Sequence, residues 1–436
     1  MSFSDKVRNA GIVGAGGAGF PTYIKMQSSA DTLICNAAEC EPLLYTDYYV
    51  IQNHIDDVIR GMLLAKEELG AKRVVFAIKE KRHDLFPVIE KAIEAAGGGV
   101  ELFAMGDYYP AGDEQSLVYD VTGRIVPQNG IPIHVGVVVN NVLTFYQIWN
   151  AIENSVPVTE RYVSVVGRVK RPYVAVVSIG TPFSRLAEIA EPEPGTVMIE
   201  GGVMMGHVRT QDDTVSKTTG AIVFLEEGNP AVREKIDSFQ SVTRFSKAAC
   251  CQCTECTVLC PRYNLGHDIE PHMIMRTLNY GLDAKSAVAQ AAYLCCQCGV
   301  CSLFACPFGL SPKRVYADFR AKLTEYNIPP LEHVIDPFND SKKLPSKRLK
   351  ARLNLLDIDV MAEFIGTLPF SGPFKIQLKQ HIGAPATPTV KSGDLVTTGQ
   401  ILSNVRPEEL GTPVHSPVDG VVKEITEEFI VIGSES

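Results

Sequence analysis

Cys250-x2-Cys253-x2-Cys256-x3-Cys260-Pro261 and Cys295-x2-Cys298-x2-Cys301-x4-Cys306-Pro307 decide how this 436-residue chain is read. Between Cys250 and Cys306 lie ten of its twelve cysteines. The first run has the spacing of a bacterial [4Fe–4S] site, and the second lengthens the last gap by one residue. Four thiolates per run is the count a cubane needs, and a proline follows the fourth cysteine in each. Structural zinc is the plainer reading of a Cys-x2-Cys pair. It gives no reason for two tandem runs that both end in Cys-Pro. A disulfide framework is disfavoured, because the cysteines cluster and the start, MSFSDKVRNAG, lacks the apolar core of a secretory signal. In two-run motifs the fourth cysteine commonly serves the other cluster. The expectation is therefore Cys250, Cys253, Cys256 and Cys306 for one cluster, and Cys295, Cys298, Cys301 and Cys260 for the other. Cys251 and Cys296 read as packing thiols.

The 34 residues between Cys260 and Cys295 include PHMIMRTLNYGL and DAKSAVAQAAYL, both at helical spacing. That predicts an α-helical dicluster domain over 240–325, not a short β-rich ferredoxin. Length alone suggests about three domains at about 150 residues each. The net charge is −9, basic runs are absent and there is one tryptophan, which argues against a nucleic-acid protein. No apolar run reaches the ~18 residues of a membrane span. Reduced cysteines point to the cytoplasm.

Upstream, residues 4–10 read as a short helix. Then comes Gly14-Ala15-Gly16-Gly17-Ala18-Gly19-Phe20-Pro21-Thr22. It contains G-x-G-x-x-G, with the acidic Glu39 about 20 residues on, as in a dinucleotide fingerprint. The context differs from that fingerprint: only Ile12 and Val13 precede the loop, and Pro21 falls where the helix should be under way. What survives is the physics of consecutive glycines, whose N–H groups can approach a phosphate. DTLICN (31–36) reads as a strand running into Ala37-Ala38-Glu39-Cys40-Glu41-Pro42. Helix 53–69, strand 73–78, helix 82–96 and strand 100–105 follow, an α/β pattern with a largely parallel sheet. Polar loops at 36–47, 107–115 and 139–144 fall at strand ends, where such sheets bind ligands.

From about residue 160, TERYVSVVGRVKRPYVAVVSIGT alternates in period two. With SRLAEIA, VMIEGG and TGAIVFL it reads as a small β-grasp-like module ending near 228. Residues 326–372 are rich in Pro, Lys and Asp and read as a linker with one helix. The tail, 373–436, is β again, marked by Val390-Lys391-Ser392-Gly393-Asp394 and Ser416-Pro417-Val418-Asp419-Gly420.

GAGGAGFPT, NAAECEP, YYPAGDEQSL and VVNNVLT, in that order, resemble the flavin site shared by the Rnf-complex C subunit and the cobalamin reductase of propanediol utilisation. More distantly they resemble the flavin- and NADH-binding subunit of respiratory complex I. GHDIEPHMIMR and CGVCSLFACPFGLSPKRV look most like the cobalamin reductase branch. The resemblance covers essentially the whole chain. It implies a multidomain α/β protein: an FMN- and NADH-binding α/β domain (1–158), a soluble-ligand-binding β-grasp domain (SLBB, 159–230), the helical dicluster domain, and a C-terminal barrel-sandwich hybrid. In the Rnf subunit that last module stands at the N-terminus.

Residue by residue, the resemblance implies that Gly14, Gly16, Gly17 and Gly19 cradle FMN. It places Lys25 beside the flavin, and Asn36, Glu39, Asn140, Asn141 and Thr144 at further FMN contacts. Tyr109, Gly112 and Glu114 match the loop near the reacting rings, with Tyr109 and Glu114 as the catalytic candidates. Phe20 and Glu41 match positions that hold NADH. The chain departs from the complex I pattern at Ala15, where an arginine stands, and at Ala38 and Asp113. The tail also lacks a carrier lysine, reading Arg406-Pro407-Glu408-Glu409, and so looks like a docking surface. The implied activity is transfer of electrons from NADH through FMN and two [4Fe–4S] clusters to an acceptor. A cobalamin is the nearest implied acceptor, and a partner reductase or an Rnf-like complex is the alternative. A non-catalytic electron-transfer subunit is a further alternative. His267 and His272 flank the first run and read as core or surface histidines before cobalt ligands. Other subunits of an electron-transfer complex or a microcompartment are the implied partners.

Overall fold

The computed structural model describes residues 1–280, 286–323, 328, 335–336 and 338–434. Its first domain carries strands β1 (Thr32–Ala37), β2 (Arg73–Lys79), β3 (Glu101–Met105), β4 (Tyr108–Tyr109) and β5 (Val137–Asn141). Four of them form a parallel sheet in the order β3-β2-β1-β5. Leu33, Ile34, Cys35 and residues 74–78 are buried. Continuous apolar runs of this kind are what a parallel sheet covered on both faces requires. Helices α1 (Phe3–Asn9), α2 (Thr22–Met26), α3 (Thr46–Leu69), α4 (Phe86–Ala95), α5 (Glu114–Thr122) and α6 (Val142–Glu153) surround it.

Helix α3 begins seven residues before the expected 53. His54 interrupts it with φ −139° and ψ 23°, so the periodic pattern marks only the part beyond the kink. The expected helix 82–96 is a 3-10 turn, Glu80–Leu85, leading into α4. Gly61 lets α3 and α6 close up, because a Cβ there would sit 2.1 Å from the Phe145 carbonyl oxygen. The C-terminal ends of β1, β2, β3 and β5 share one edge of the sheet, and the glycine loop and the loops after β1 and β3 gather there.

The second module is a six-stranded sheet. It uses β6 (Glu160–Gly167), β7 (Tyr173–Ser178), β8 (Thr196–Glu200), β9 (His207–Val208) and β10 (Ala221–Glu226), with the helix Phe183–Ala190 packed on it. Its sixth strand comes from beyond the cysteine block. Part of the expected linker lies outside the described residues. The part that is described does not behave as a linker: β11 (Leu344–Pro345) pairs with β4, and β12 (Glu363–Thr367) pairs in parallel with β7. Between them the helix Ser346–Arg352 buries Leu349, followed by buried Leu353 and Leu355. These leucines are spaced among charged residues, so composition reads as polar while one face is apolar.

The cysteine block is helical, with Phe239–Ala249, Pro271–Tyr280 and Pro312–Lys322 as its longer helices. Ile269, Ile274, Met275, Leu294, Leu310, Val315 and Tyr316 form its core. The expected helix over DAKSAVAQAAYL is described from Ser286 onward, as a short helix, Ala287–Gln290, and a 3-10 turn, Ala291–Tyr293. Residues 283–285 lie outside the described residues. The tail packs two small sheets. One holds β13 (Phe374–Gln377), β15 (Leu395–Val396), β18 (Gly420–Ile425) and β19 (Phe429–Ser434). The other holds β14 (Thr387–Pro388), β16 (Ile401–Asn404) and β17 (Val414–His415).

Lys217 fastens three of these bodies. Its buried ammonium donates to the carbonyls of Gly11 (2.8 Å) and Pro413 (2.6 Å) and to the Thr412 hydroxyl (3.3 Å). Arg8 of α1 also donates to the Arg406 carbonyl at 3.0 Å. Among the described residues no helix is long and apolar enough to cross a membrane.

Candidate functional site

The glycine loop closes on itself, with Gly14 N–H donating to the Phe20 carbonyl at 2.8 Å and Gly19 N–H to the Gly14 carbonyl at 3.3 Å. Gly17 has φ +115° and open space where a Cβ would stand, whereas a Cβ on Gly19 would meet Thr218 at 2.8 Å. The first glycine therefore exposes backbone and the second permits a close approach of the β-grasp module. The loop is pinned from α6, where the buried Thr144 hydroxyl accepts from Ala15 N–H at 3.1 Å. Phe20 is half-buried beside it.

Ala15 stands where the complex I pattern has an arginine, yet a guanidinium lies behind the loop all the same. Arg161 of β6 donates to the Ala15 carbonyl (3.0 Å) and the Thr219 carbonyl (3.3 Å), and burial pulls it down to about 10. The sequence offered one signal for it, a charged residue inside an otherwise apolar strand.

The three asparagines expected at the flavin have different tasks. Asn36 donates to the Gly112 carbonyl at 3.0 Å and accepts from Ala38 N–H at 3.2 Å. Gly112 packs so closely on this turn that a Cβ would lie 3.1 Å from Cys40 Sγ. Asn141 caps α6 through Leu143 N–H (3.0 Å) and donates to both oxygens of Asp47 (2.9 and 3.1 Å). Asn140 is 4% exposed, and its amide nitrogen has no partner among the described residues. A buried unsatisfied donor is costly, and this one stands at the end of β5 beside the glycine loop. Lys25 donates to Glu114 (2.9 Å) and to the Val139 carbonyl (2.7 Å), so the two expected residues meet as an ion pair at the same strand end.

The two acidic residues expected at the cofactors both accept hydrogen bonds from within the protein. Glu39, at φ +36°, accepts from the Thr46 hydroxyl (3.1 Å) and Asp47 N–H (2.8 Å), so it anchors the start of α3. Glu41 accepts from Met204 N–H (2.9 Å) and Met205 N–H (3.0 Å), and so ties the flavin-type domain to the β-grasp module. Burial raises both carboxyls. It also raises Asp47, helped by the charge of Glu39 beside it. Asp47 escapes a sequence reading because an acid in a first helical turn is unremarkable.

Tyr109, a residue of the loop expected near the reacting rings, faces the cysteine block. It is 2% exposed, and its hydroxyl donates to the Cys298 carbonyl at 2.7 Å. Further along the same loop, Asp113 caps α5 and pairs with Arg262 at 2.6 Å, both about one-tenth exposed. The loop after β3 therefore touches the flavin-type turn through Gly112 and the cysteine block through Tyr109 and Asp113.

The eight cysteines divide into two cavities. Cys250, Cys253, Cys256 and Cys306 line an outer one with His272, Met275 and Phe308, and Cys253 is exposed. Cys260, Cys295, Cys298 and Cys301 line an inner one with Arg262, Lys313 and Tyr316. Among the described residues no three metal-binding side chains converge on a single-ion point. Zinc would bring sulfurs to about 3.8 Å from one another at Zn–S distances of about 2.3 Å. A cubane puts one thiolate on each of four irons and so needs a cavity between the sulfurs, which each set here lines. The Tyr316 hydroxyl is buried at the inner cavity and has no partner among the described residues, as a donor awaiting a sulfur would be. Burial pushes the Cys256 and Cys260 thiols up to about 12, so iron must displace their protons on loading. Cys296 is half-buried next to Arg262. Cys251 is exposed, so the packing role expected of it does not hold. The His272 ring is held by the Thr257 hydroxyl at 2.8 Å.

Known proteins share these domains with the chain. Residues 7–150 match the Nuo51 FMN-binding domain, 249–311 a 4Fe-4S dicluster domain, and 361–436 the RnfC barrel sandwich hybrid domain. The NAD+-reducing [NiFe]-hydrogenase in its H2-reduced state shares the fold. It superposes with a TM-score of 0.51 at 21% identity, over 75% of this chain and 63% of that one. One subunit of the Na(+)-translocating ferredoxin:NAD(+) oxidoreductase complex of Acetobacterium woodii is 32% identical, over 58% of this chain and 56% of its own. The cobalamin reductase PduS of Citrobacter freundii is 38% identical over 99% of this chain and 96% of its own, and that of Salmonella typhimurium 37% over 98% and 95%. With both lengths spanned almost entirely, the chain belongs to the cobalamin reductase PduS family.

Proposed function

We propose that the protein oxidises NADH and delivers the electrons one at a time to a cobalamin. FMN, when bound, supplies the conversion of an electron pair into single electrons, and two [4Fe–4S] clusters supply the one-electron carriers. The chain's own residues position and tune. The open backbone at Gly17 and the unpartnered Asn140 amide receive the flavin, and Thr144 and Arg161 hold the loop that does so. Lys25 and Glu114 set the charge at the strand end. The observation that carries the reading is the loop after β3. One short stretch touches the flavin-type turn and the inner cysteine set, through Tyr109 to Cys298 and Asp113 to Arg262. The exposure of Cys253 in the outer set supports exit of electrons at the surface.

The matched RnfC-type tail supports a second reading, in which the acceptor is a partner protein of an electron-transfer complex. Either acceptor fits a protein that works in the cytoplasm, inside a microcompartment or at the periphery of a membrane complex. The test is anaerobic. Purified protein should carry about eight irons per chain and lose its yellow flavin absorbance on addition of NADH. Added cob(II)alamin should then be reduced. Flavin that does not bleach sinks the NADH reading. Bleaching without corrin reduction sinks the cobalamin reading and leaves the partner-protein one.

A further inference from the structure

Cys250-Cys251-Gln252-Cys253 and Cys295-Cys296-Gln297-Cys298 are the same tetrapeptide, once in each run. Both glutamines adopt the left-handed conformation, with φ +57° and +59°. That region is unfavourable for a residue with a side chain. The turn folds each side chain back onto the thiol two residues earlier. Gln252 Nε2 donates to Cys250 Sγ at 3.1 Å and also reaches the His272 carbonyl at 3.3 Å. Gln297 Nε2 donates to Cys295 Sγ at 3.3 Å, and its backbone N–H reaches the same sulfur at 3.4 Å. The next left-handed positions, Thr254 and Gly299, differ between the runs. The backbone shape alone therefore accepts different residues, while the side-chain amide recurs at both sulfurs.

We propose that Gln252 and Gln297 are a matched pair of positioning residues that set the reduction potentials of the two clusters. The proposal rests on the reading that each cysteine set holds a [4Fe–4S] cluster. An N–H aimed at a ligand sulfur draws off negative charge. It therefore favours the reduced, more negative cluster and raises its potential. The two sites are not equivalent. Cys295 keeps a backbone donor from Gln297 when the side chain is removed, whereas among the described residues the side-chain amide is the one donor Gln252 gives Cys250. Loss of Gln252 shifts its cluster further than loss of Gln297 shifts the other.

The test is an EPR-monitored redox titration of the full chain carrying Gln252→Leu, Gln297→Leu, Gln252→Glu or Gln297→Glu. Each variant should keep about eight irons and lower one midpoint potential only. The glutamates, which match the shape but cannot donate when ionised, should lower it more than the leucines. The shift should be larger at position 252 than at 297. Full iron with unchanged midpoints overturns the proposal, as does loss of iron from both the leucine and the glutamate variant at one position, which would make the residue a structural brace. Loss from the leucine variant alone, with a lowered midpoint in the glutamate variant, supports it. A wild-type chain without eight irons would instead defeat the cluster reading on which the proposal stands.

Discussion

Asn140 and Asn141 are adjacent and identical in type, and the fold gives them opposite work. Asn141 is spent on capping α6 and holding Asp47, whereas Asn140 keeps a buried donor with no partner among the described residues. Asn140→Leu should weaken FMN binding by about two- to tenfold, the worth of one hydrogen bond of about 0.5–1.5 kcal/mol. The FMN-free protein should melt no lower than wild type, because an orphaned donor has been removed. Fluorescence titration with FMN and thermal melts check both halves. Asp47 gives a pH effect. Its carboxyl is pushed up to about 7 from an ordinary value near 3.8 by burial and by Glu39. The folded chain therefore holds more protons than the unfolded one between about pH 4 and 7, and this group's contribution to stability falls as pH rises through that window. Melting temperatures measured from pH 5 to 7.5 should fall less steeply in Asp47→Asn than in wild type.

At the scale of elements, the loop after β3 does more than its length suggests. It supplies β4, which pairs with β11, the cap of α5, and the Asp113–Arg262 pair that reaches the inner cysteine set. Asparagine also caps helices well, so Asp113→Asn spares α5 and isolates the ion pair. It leaves a buried guanidinium uncompensated and should cost about 3–5 kcal/mol, read as a lower melting transition. The double variant Asp113→Asn/Arg262→Met should recover part of that loss. Full additivity of the two single variants would show that the pair does not couple. The resemblance at YYPAGDEQSL points to this loop as a flavin contact, but Tyr109 and Asp113 turn toward Cys298 and Arg262, 189 and 149 residues further along the chain. No local pattern carries a partner so far away.

Over the whole molecule, the legible features were those written in spacing or in register. The two cysteine runs, the parallel α/β alternation and the four flavin motifs are all short-range patterns, and domain identity follows from them. Interdomain ties were not legible. Nothing near Glu41 in the sequence announces that Met204 and Met205 donate to it. The segment before the tail looks like a linker because its apolar face is spread over Leu349, Leu353 and Leu355 among lysines and arginines. Helix α3 was half hidden by its kink at His54. In each case a long-range contact overrides a local preference, as tertiary structure does elsewhere.

The seat of the tail on the rest of the protein bears on chain order. Lys217 joins Thr412 and Pro413 of the tail to Gly11, and Arg8 holds Arg406, so this last module rests against the first helix of the chain. In space, then, the barrel-sandwich module adjoins both ends of the sequence arrangement. A circularly permuted chain, with residues 373–434 joined ahead of Phe3 by a connector long enough to reach it, would keep these contacts. Moving this module between the two ends of a polypeptide is a change of wiring that leaves the architecture in place.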